Sequence, residues 1–396
     1  MIAQSFMDIA SPEPLLGGLS PRDFMRRHWH KKPLLIRAAV PYTGRIVTRS
    51  ALFDLAAREG IESRLVTRSL PAEDRWSLRQ GPFARRALPS LKTPRWTLLV
   101  QGTDLHLASA HRLLERFRFV PDARLDDVMF SFATDGGGVG PHIDSYDVFL
   151  LQVHGSRRWR IGRLRKPVLR SDVPLKLLAN FSASQEWLLG PGDMLYLPPG
   201  WAHDGVAEGE TITASIGFRS AGRQTLASDV LQRLLDDLED DPDERRYADP
   251  DQDATTEPAR IPVALQRFAA DAVARLVGDA AAHEMALGEA LSEPKPGVWF
   301  DPVDARSAAG AVRLDRRSRM LYDDRHLYLN GEAFRASGRD AKIVRRLADA
   351  RSLEASDVSA LSAGARSLVE GWLGAGWLRS DVDEEHDDGD TDPPGA

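Results

Sequence analysis

The stretch that decides the reading is "GPHIDSYDVFLLQVHGSRRWRIG", Gly140 to Gly162, which grows out of the glycine-rich run "TDGGGVG". His142 and Asp144 stand one residue apart in it. In an extended chain, residues i and i+2 project from the same face, so a strand here aims an imidazole and a carboxylate at one place. Further along, "PGDMLYLPPGWAHDG" (Pro191–Gly205) carries His203 after a Pro-Pro-Gly turn. Around these segments the chain from about 126 to 220 is a series of short β-rich runs: "DDVMFSFAT", "DVFLLQV", "RRWRIG", "DMLYLP" and "TITASIGF". Each is bounded by Gly, Pro, Asp or Ser, and no long amphipathic helix interrupts them, a pattern that predicts a β-barrel or jelly roll. His154, beside Gly155, is expected in a hairpin turn between two of these strands.

Composition narrows the chemistry. The 396 residues contain no cysteine, which removes disulfides, thiolate metal sites, iron–sulfur clusters and thiol nucleophiles. Any metal must use His, Asp or Glu. The lack of cysteine also fits a reducing cytoplasm. The N-terminal "MIAQSFMDIASPEP" has no basic segment and an early Asp8, unlike a signal peptide. No apolar run approaches the roughly 20 residues of a membrane span. The expectation is a cytoplasmic protein with no membrane part. The net charge of −6 is uneven, because the eight acids of "SDVDEEHDDGDTDPPGA" (380–396) exceed it. This segment has too little apolar surface to offset its ordering entropy and is expected to be a disordered acidic tail.

Four regions precede or include that tail. Residues 1–220 read as the domain holding the strands; at its start Ser20 is a helix N-cap with Pro21 at the first helical position, and Lys32-Pro33 leads into an extended Leu34-Leu35-Ile36. Residues 221–295 turn helical: Leu226, Val230, Leu231, Leu234, Leu235 and Leu238 keep a helical spacing, and "VALQRFAADAVARLVGDAAAHEMALGEAL" reads as one further helix. Their stripes need cover, from this chain or from a second copy. Residues 296–379 combine strands, a hairpin signal at Asn330-Gly331 and short helices, suggesting a winged-helix-like module. Between 305 and 379 there are 14 Lys/Arg against 9 Asp/Glu. That mild excess is less than the dense basic stripe of nucleic-acid readers, and direct nucleic-acid binding is not expected.

Two histidines and one carboxylate on one face, with the opposite positions open, is the arrangement of non-haem Fe(II) oxygenases. His142, Asp144 and His203 are therefore the candidate metal ligands and catalytic centre. An H-x-D alone is common. Its weight here comes from spacing: Gly136, five residues, His142; then Gly192, five residues, Pro198, one residue, Gly200, two residues, His203. Both halves of the cupin pattern are present, with Asp144 where many cupins place a second histidine. By alternation Arg157, Trp159 and Ile161 share a face. An arginine facing the same way as Trp and Ile is odd for a surface strand and suits a buried carboxylate. In "DDVMFSF", Val128, Phe130 and Phe132 read as core, and Asp127, Met129 and Ser131 as the wall of a pocket.

The chain resembles the JmjC-type 2-oxoglutarate oxygenases of the ribosomal oxygenase group, and more narrowly the bacterial arginine hydroxylases that act on large-subunit ribosomal protein sixteen. The resemblance is carried by "WHKKPLLIR" (29–37), "GGGVGPHIDSYDVFLLQ" (136–152), "RRWRIG" (157–162), "PGDMLYLPPGWAHDG" (191–205), "SIGFRS" (215–220) and "RYADPD" (246–251). It implies an α+β chain: a double-stranded β-helix (jelly roll, cupin/JmjC) over 1–220, a helical dimerisation domain over 221–295 and a winged-helix domain over 296–379. It implies Fe(II) held by His142, Asp144 and His203, 2-oxoglutarate as cosubstrate bound by Ser131, Arg157 and Thr213, and dioxygen as oxidant. The family's substrate slot falls on Asp127, Met129 and Tyr146: a carboxylate for a guanidinium, with Met and Tyr along its aliphatic stem. Thr213 departs from the amide that the family often has there. The implied activity is hydroxylation of an arginine side chain, at the β-carbon, of a large-subunit ribosomal protein by a homodimer. The alternatives are a histidyl hydroxylase or lysyl demethylase of the same chemistry, or a non-catalytic cupin whose winged helix binds nucleic acid.

Overall fold

The computed structural model describes residues 8–69, 74–238, 245–250, 253–254, 258–302, 310–335 and 337–380. The expected acidic tail, beyond Ser380, lies outside the described residues. The chain divides into two bodies, the first ending at Ser220 and the second beginning at Ala221.

The first body is built on ten antiparallel strands: β1 (Leu34–Ile36), β2 (Ser63–Ser69), β3 (Arg75–Gln80), β4 (Trp96–Val100), β5 (Leu125–Ala133), β6 (His142–Ile143), β7 (Val148–Arg163), β8 (Gln185–Leu189), β9 (Met194–Leu197) and β10 (Trp201–Phe218). The order is β1-β9-β7-β10-β5-β4-β2-β3, with β6 on β10 and β8 on β7. The two long strands make it a jelly roll. The first half of β7 pairs with β9 and with Thr213–Gly217 of β10, and its second half pairs with β8 and with Trp201–Glu208. Here the structure corrects the sequence reading: "DVFLLQV" and "RRWRIG" are one strand, and His154 lies within it rather than in a hairpin turn. Gly155 makes the bend possible. It sits at φ 65°, and a Cβ there would lie 2.0 Å from the Glu210 carbonyl oxygen, so β10 crosses directly over it. The ladder between β7 and β10 shifts register at this point, between Glu208 and Thr213.

β5 shows how the sequence sorts its two faces. Val128, Phe130 and Phe132 are buried in the main core with Phe24, Trp96, Phe117 and Phe149, while Asp127, Met129 and Ser131 face the other way. The N-terminal signals form as expected. Ser20 accepts a hydrogen bond from the Asp23 N–H (3.1 Å), capping helix α1 (Pro21–Arg27), and "LLI" forms the edge strand β1.

In the second body, the expected single helix after Pro262 is two: α5 (Val263–Leu276) and α6 (Ala280–Ser292), following α4 (Arg223–Leu238); the count resumes from α2 (Arg49–Ala56) and α3 (Ala108–Glu115) in the first body. The break falls at Gly278-Asp279, where the Asp279 carboxylate takes the Ala281 N–H (2.8 Å) and starts a new helix. Helix α6 then packs on the sheet β12 (Met320–Tyr322), β13 (His326–Leu329), β14 (Glu332–Arg335), with the Tyr328 ring against Gly288 so closely that a Cβ there would be 2.2 Å from it. The sheet β15-β11-β16 (Ser352–Leu353, Val312–Leu314, Leu378–Ser380) and helices α7 (Gly338–Ala350), α8 (Ala355–Ser359) and α9 (Ala363–Gly374) complete the module. Asn330 (φ 52°) and Gly331 (φ 90°) form the expected hairpin turn.

Replacing Gly155 by Ala places a side chain in left-handed backbone and against β10. The strained backbone alone costs roughly 1–3 kcal/mol, and the clash adds to it. Denaturant unfolding should show a lower midpoint for Gly155→Ala than for an Ala substitution at the unobstructed Gly190.

Candidate active site

β6 and β10 pair with His142 directly opposite His203, which brings the ring centroids to 4.2 Å. Asp144 follows β6 at once, and its carbonyl accepts from the Gly200 N–H (3.0 Å) in the turn that opens β10. Its carboxylate oxygens lie 3.8 Å from His142 Nε2 and 3.5 Å from His203 Nε2. One ligand atom from each residue fits within 4.8 Å of the others.

The tautomers follow from the partners. His142 Nδ1 is 2.9 Å from the Gly140 carbonyl oxygen, and His203 Nδ1 is 3.1 Å from that of Trp201. A carbonyl only accepts, so each Nδ1 carries the proton and each Nε2 presents a lone pair to the cluster. Burial, then the neighbouring His142, pulls His203 down to about 4, so it stays neutral as a ligand must. Two Nε2 lone pairs and one carboxylate fit a divalent metal such as Fe(II). The glycine run gives these groups room: a Cβ on Gly138 would be 2.4 Å from the Gly205 carbonyl oxygen, and one on Gly205 would be 2.7 Å from the Trp159 ring.

Arg157 is 4% exposed. Its Nη1 is 3.4 Å from Ser131 Oγ and its Nη2 3.3 Å from Thr211 Oγ1, both long bonds to neutral hydroxyls. Its Nε has no partner among the described residues. Burial lowers this guanidinium to about 10, against the more distant pull of Asp204; it remains charged at neutral pH. A buried cation facing hydroxyls rather than an acid is arranged for an incoming anion. Arg158, on the opposite face of β7, is instead saturated by Glu186 (2.9 Å) and Glu208 (2.6 Å).

The remaining sequence candidates are placed unevenly. Ser131 meets Arg157. Thr213 does not: its Oγ1 donates to Gln152 Oε1 (3.0 Å), and the hydroxyl at Arg157 is that of Thr211. Alternation puts both threonines of "TIT" on one face, and only the register shift in β10 decides which reaches the arginine. Asp127 is buried and its Oδ2 accepts from the Gly102 N–H (2.9 Å). Tyr146 is 39% exposed; burial of its hydroxyl end, then the charges of Asp144 and Asp127, push its phenol above the usual range. Met129 Sδ lies 3.7 Å from Arg64 Nη2, and Arg64 also acts on Tyr146. Sequence reading missed Arg64, which sits on the distant β2 with no local signal.

Residues 112–226 match the family model for the JmjC domain, and residues 279–379 that for the ROXA-like winged helix. The chain is 36% identical over 246 residues to an Escherichia coli protein named ribosomal protein uL16 3-hydroxylase, covering 60% of this chain and 62% of that one. The aligned part is thus a little under two thirds of that relative. It is 29% identical over 385 residues to a Haemophilus influenzae protein named probable ribosomal oxygenase, covering 89% and 91%. A solved structure of YcfD, a ribosomal oxygenase from E. coli in complex with cobalt and 2-oxoglutarate, matches with a TM-score of 0.73 at 26% identity, covering 92% of this chain and 98% of that one. No described helix is long and apolar enough to cross a membrane. The His–Asp–His cluster thus lies on a jelly roll within the segment that matches the JmjC domain, and the second body contains the segment that matches the ROXA-like winged helix.

Proposed function

We propose that the protein is a cytoplasmic Fe(II)- and 2-oxoglutarate-dependent hydroxylase of an arginine side chain, at the β-carbon, in a large-subunit ribosomal protein. The observation that carries this reading is the buried Arg157, whose hydrogen bonds among the described residues go to hydroxyls, beside a His–Asp–His cluster with both Nε2 lone pairs turned inward. The names of the E. coli and H. influenzae relatives support the substrate class.

His142, Asp144 and His203 would hold the iron, which with 2-oxoglutarate and dioxygen supplies oxidative decarboxylation of the cosubstrate coupled to hydroxylation of an unactivated C–H bond. The protein's own work is binding and orientation. Arg157 and Ser131 take the far carboxylate of the cosubstrate; Thr211 adds a hydroxyl there, while the Thr213 hydroxyl is turned to Gln152. Asp127 offers a carboxylate to the substrate guanidinium, and Met129 and Tyr146 flank its stem. Fixing both ends of that side chain selects which carbon faces the iron. No side chain has to move a proton in the oxidation.

Residues 1–220 are the catalytic domain on this reading. Residues 221–295 would pair two chains, and 296–379 form the winged-helix domain. The pairing is supported by α4 and α5: Leu231, Leu235, Leu238, Val263, Phe268 and Val273 are all exposed in the single chain, apolar side chains that a second copy would cover.

Mass spectrometry of ribosomal proteins incubated with the enzyme, iron and 2-oxoglutarate should find one oxygen gained on a single arginine-containing peptide. His142→Ala and Asp144→Ala should abolish that gain while retaining the circular dichroism of the fold. Addition to a histidine, or loss of a methyl group from lysine, would replace the arginine assignment; retained activity in either variant would remove the triad.

Arg157→Gln and Asp127→Asn should split the kinetics. Loss of a charge-assisted pair, worth about 1.5–3 kcal/mol, raises the KM for 2-oxoglutarate by roughly 10- to 100-fold in the first variant. The second should raise the KM for the ribosomal protein instead and leave uncoupled 2-oxoglutarate turnover near wild type; Asn keeps the acceptor that Gly102 needs. Sedimentation at micromolar concentration should give a dimer, and Leu235→Glu should shift it to monomer.

A further inference from the structure

The connection between β7 and β8 folds as a flap. Arg170 N–H donates to the Leu177 carbonyl (2.8 Å) and Ala179 N–H to that of Val168 (2.7 Å), with Leu169 bridged to Leu178 between them. Asn180 closes the base, accepting from Val168 N–H (3.0 Å) and donating to the Lys166 carbonyl (2.9 Å). The flap meets the site in two places. Leu178 N–H donates to the carbonyl of Pro141 (2.8 Å), the residue before His142. Its apolar side, Val173, Leu175 and Leu177, packs in one cluster with Val66, Trp76 and Leu99, and the same cluster takes in Met129.

One carboxylate ties the flap to the β2–β3 hairpin. Arg170 Nη1 donates to Asp74 Oδ2 (2.6 Å), and Arg68 Nε donates to Asp74 Oδ1 (2.6 Å). Arg170 is held in line by Asp172 (2.6 Å). The bond from Arg68, reinforced by Arg170 against the cost of burial, keeps the Asp74 carboxyl below its ordinary range. The guanidinium of Arg68 also lies over Trp76, 4.9 Å from a ring centroid, so the latch and the apolar cluster share a residue. Exposed ion pairs of this kind are weak singly, which suits a latch that has to release.

We propose that the flap is a wall of the slot for the target side chain, and that Asp74 is the positioning residue that latches it over a bound segment of the substrate polypeptide. The inference rests on the hydroxylase reading. Met129 lines the slot on one side and leans on the flap cluster on the other, and Pro141 ties the flap to the segment that delivers His142. Releasing the flap therefore loosens the grip on the polypeptide and leaves the cosubstrate pocket around Arg157, on β5, β7 and β10, as it was.

The test compares wild type, Asp74→Asn and Asp74→Glu in the full-length protein. Asp74→Asn should raise the KM for the ribosomal protein by roughly 3- to 10-fold, with kcat and the KM for 2-oxoglutarate within about twofold of wild type, and Asp74→Glu should recover part of the loss. Hydrogen exchange of the metal-free protein should quicken at the Arg170 and Ala179 amides in Asp74→Asn, and neither at Leu178, whose bond to Pro141 holds β6, nor in β5. Unchanged exchange overturns the latch. Faster exchange with an unchanged KM for the protein substrate overturns the wall. Equal rises in both KM values reduce Asp74 to a support of the fold. Failure of the hydroxylase reading looks different: wild type would release no succinate with any ribosomal protein, and the exchange measurement would still decide the latch.

Discussion

The pairing of β6 with β10 is the constraint on which the site depends. β6 is only two residues long, and its register sets His142 against His203. A slip of one residue would turn one imidazole to the opposite face. The register is held from outside β6: by the Gly200 N–H on the Asp144 carbonyl, by the Leu178 N–H on the Pro141 carbonyl, and by the close approach of Gly138 to the backbone at Gly205. A ladder of two residues has little stability of its own, so its geometry is borrowed from the elements around it.

Burial acts in the same sense on two groups of the site and leaves them in different states. It pulls both His203 and Arg157 down: His203 becomes neutral, with its proton on the nitrogen away from the cluster, while Arg157 starts high enough to stay charged, its hydrogen bonds among the described residues going to hydroxyls. The first is a condition for binding a metal, and the second for attracting a carboxylate. Both come from the same feature, a jelly roll that buries Ser131, Arg157 and His203 on one face of β5, β7 and β10. Trp159 serves both, packing on His203 (5.9 Å between ring centroids) and lying near Arg157 (5.8 Å).

Much of the fold was legible because alternation is local. The two faces of β5 separate into Val128, Phe130, Phe132 and Asp127, Met129, Ser131 from the side chains alone, and the folded strand places them so. The oddity of Arg157 on a face with Trp159 and Ile161 pointed to its burial. Two strands were read where one exists, because glycine at 155 ordinarily marks a turn; the strand passes through it because β10 lies directly over the position, a contact from 55 residues away in sequence between Gly155 and Glu210. The helix after Pro262 was read as continuous because apolar spacing runs on through Gly278-Asp279, where an N-cap bond outweighs it.

The candidate His and Asp residues, the face on which each strand carries them, and the glycine and proline spacing that frames them are legible along the chain, since these depend on residues a few positions apart. The tertiary structure decided the rest. Which of Thr211 and Thr213 meets Arg157 depends on a register shift between distant strands. The nearness of Arg64 to Met129 depends on β2 lying beside β4 and β4 beside β5. The flap's tie to Pro141 and Asp74 joins segments up to about a hundred residues apart (Asp74 to Arg170). Such contacts follow from how strands are ordered and bent, and no periodicity along the chain records that order.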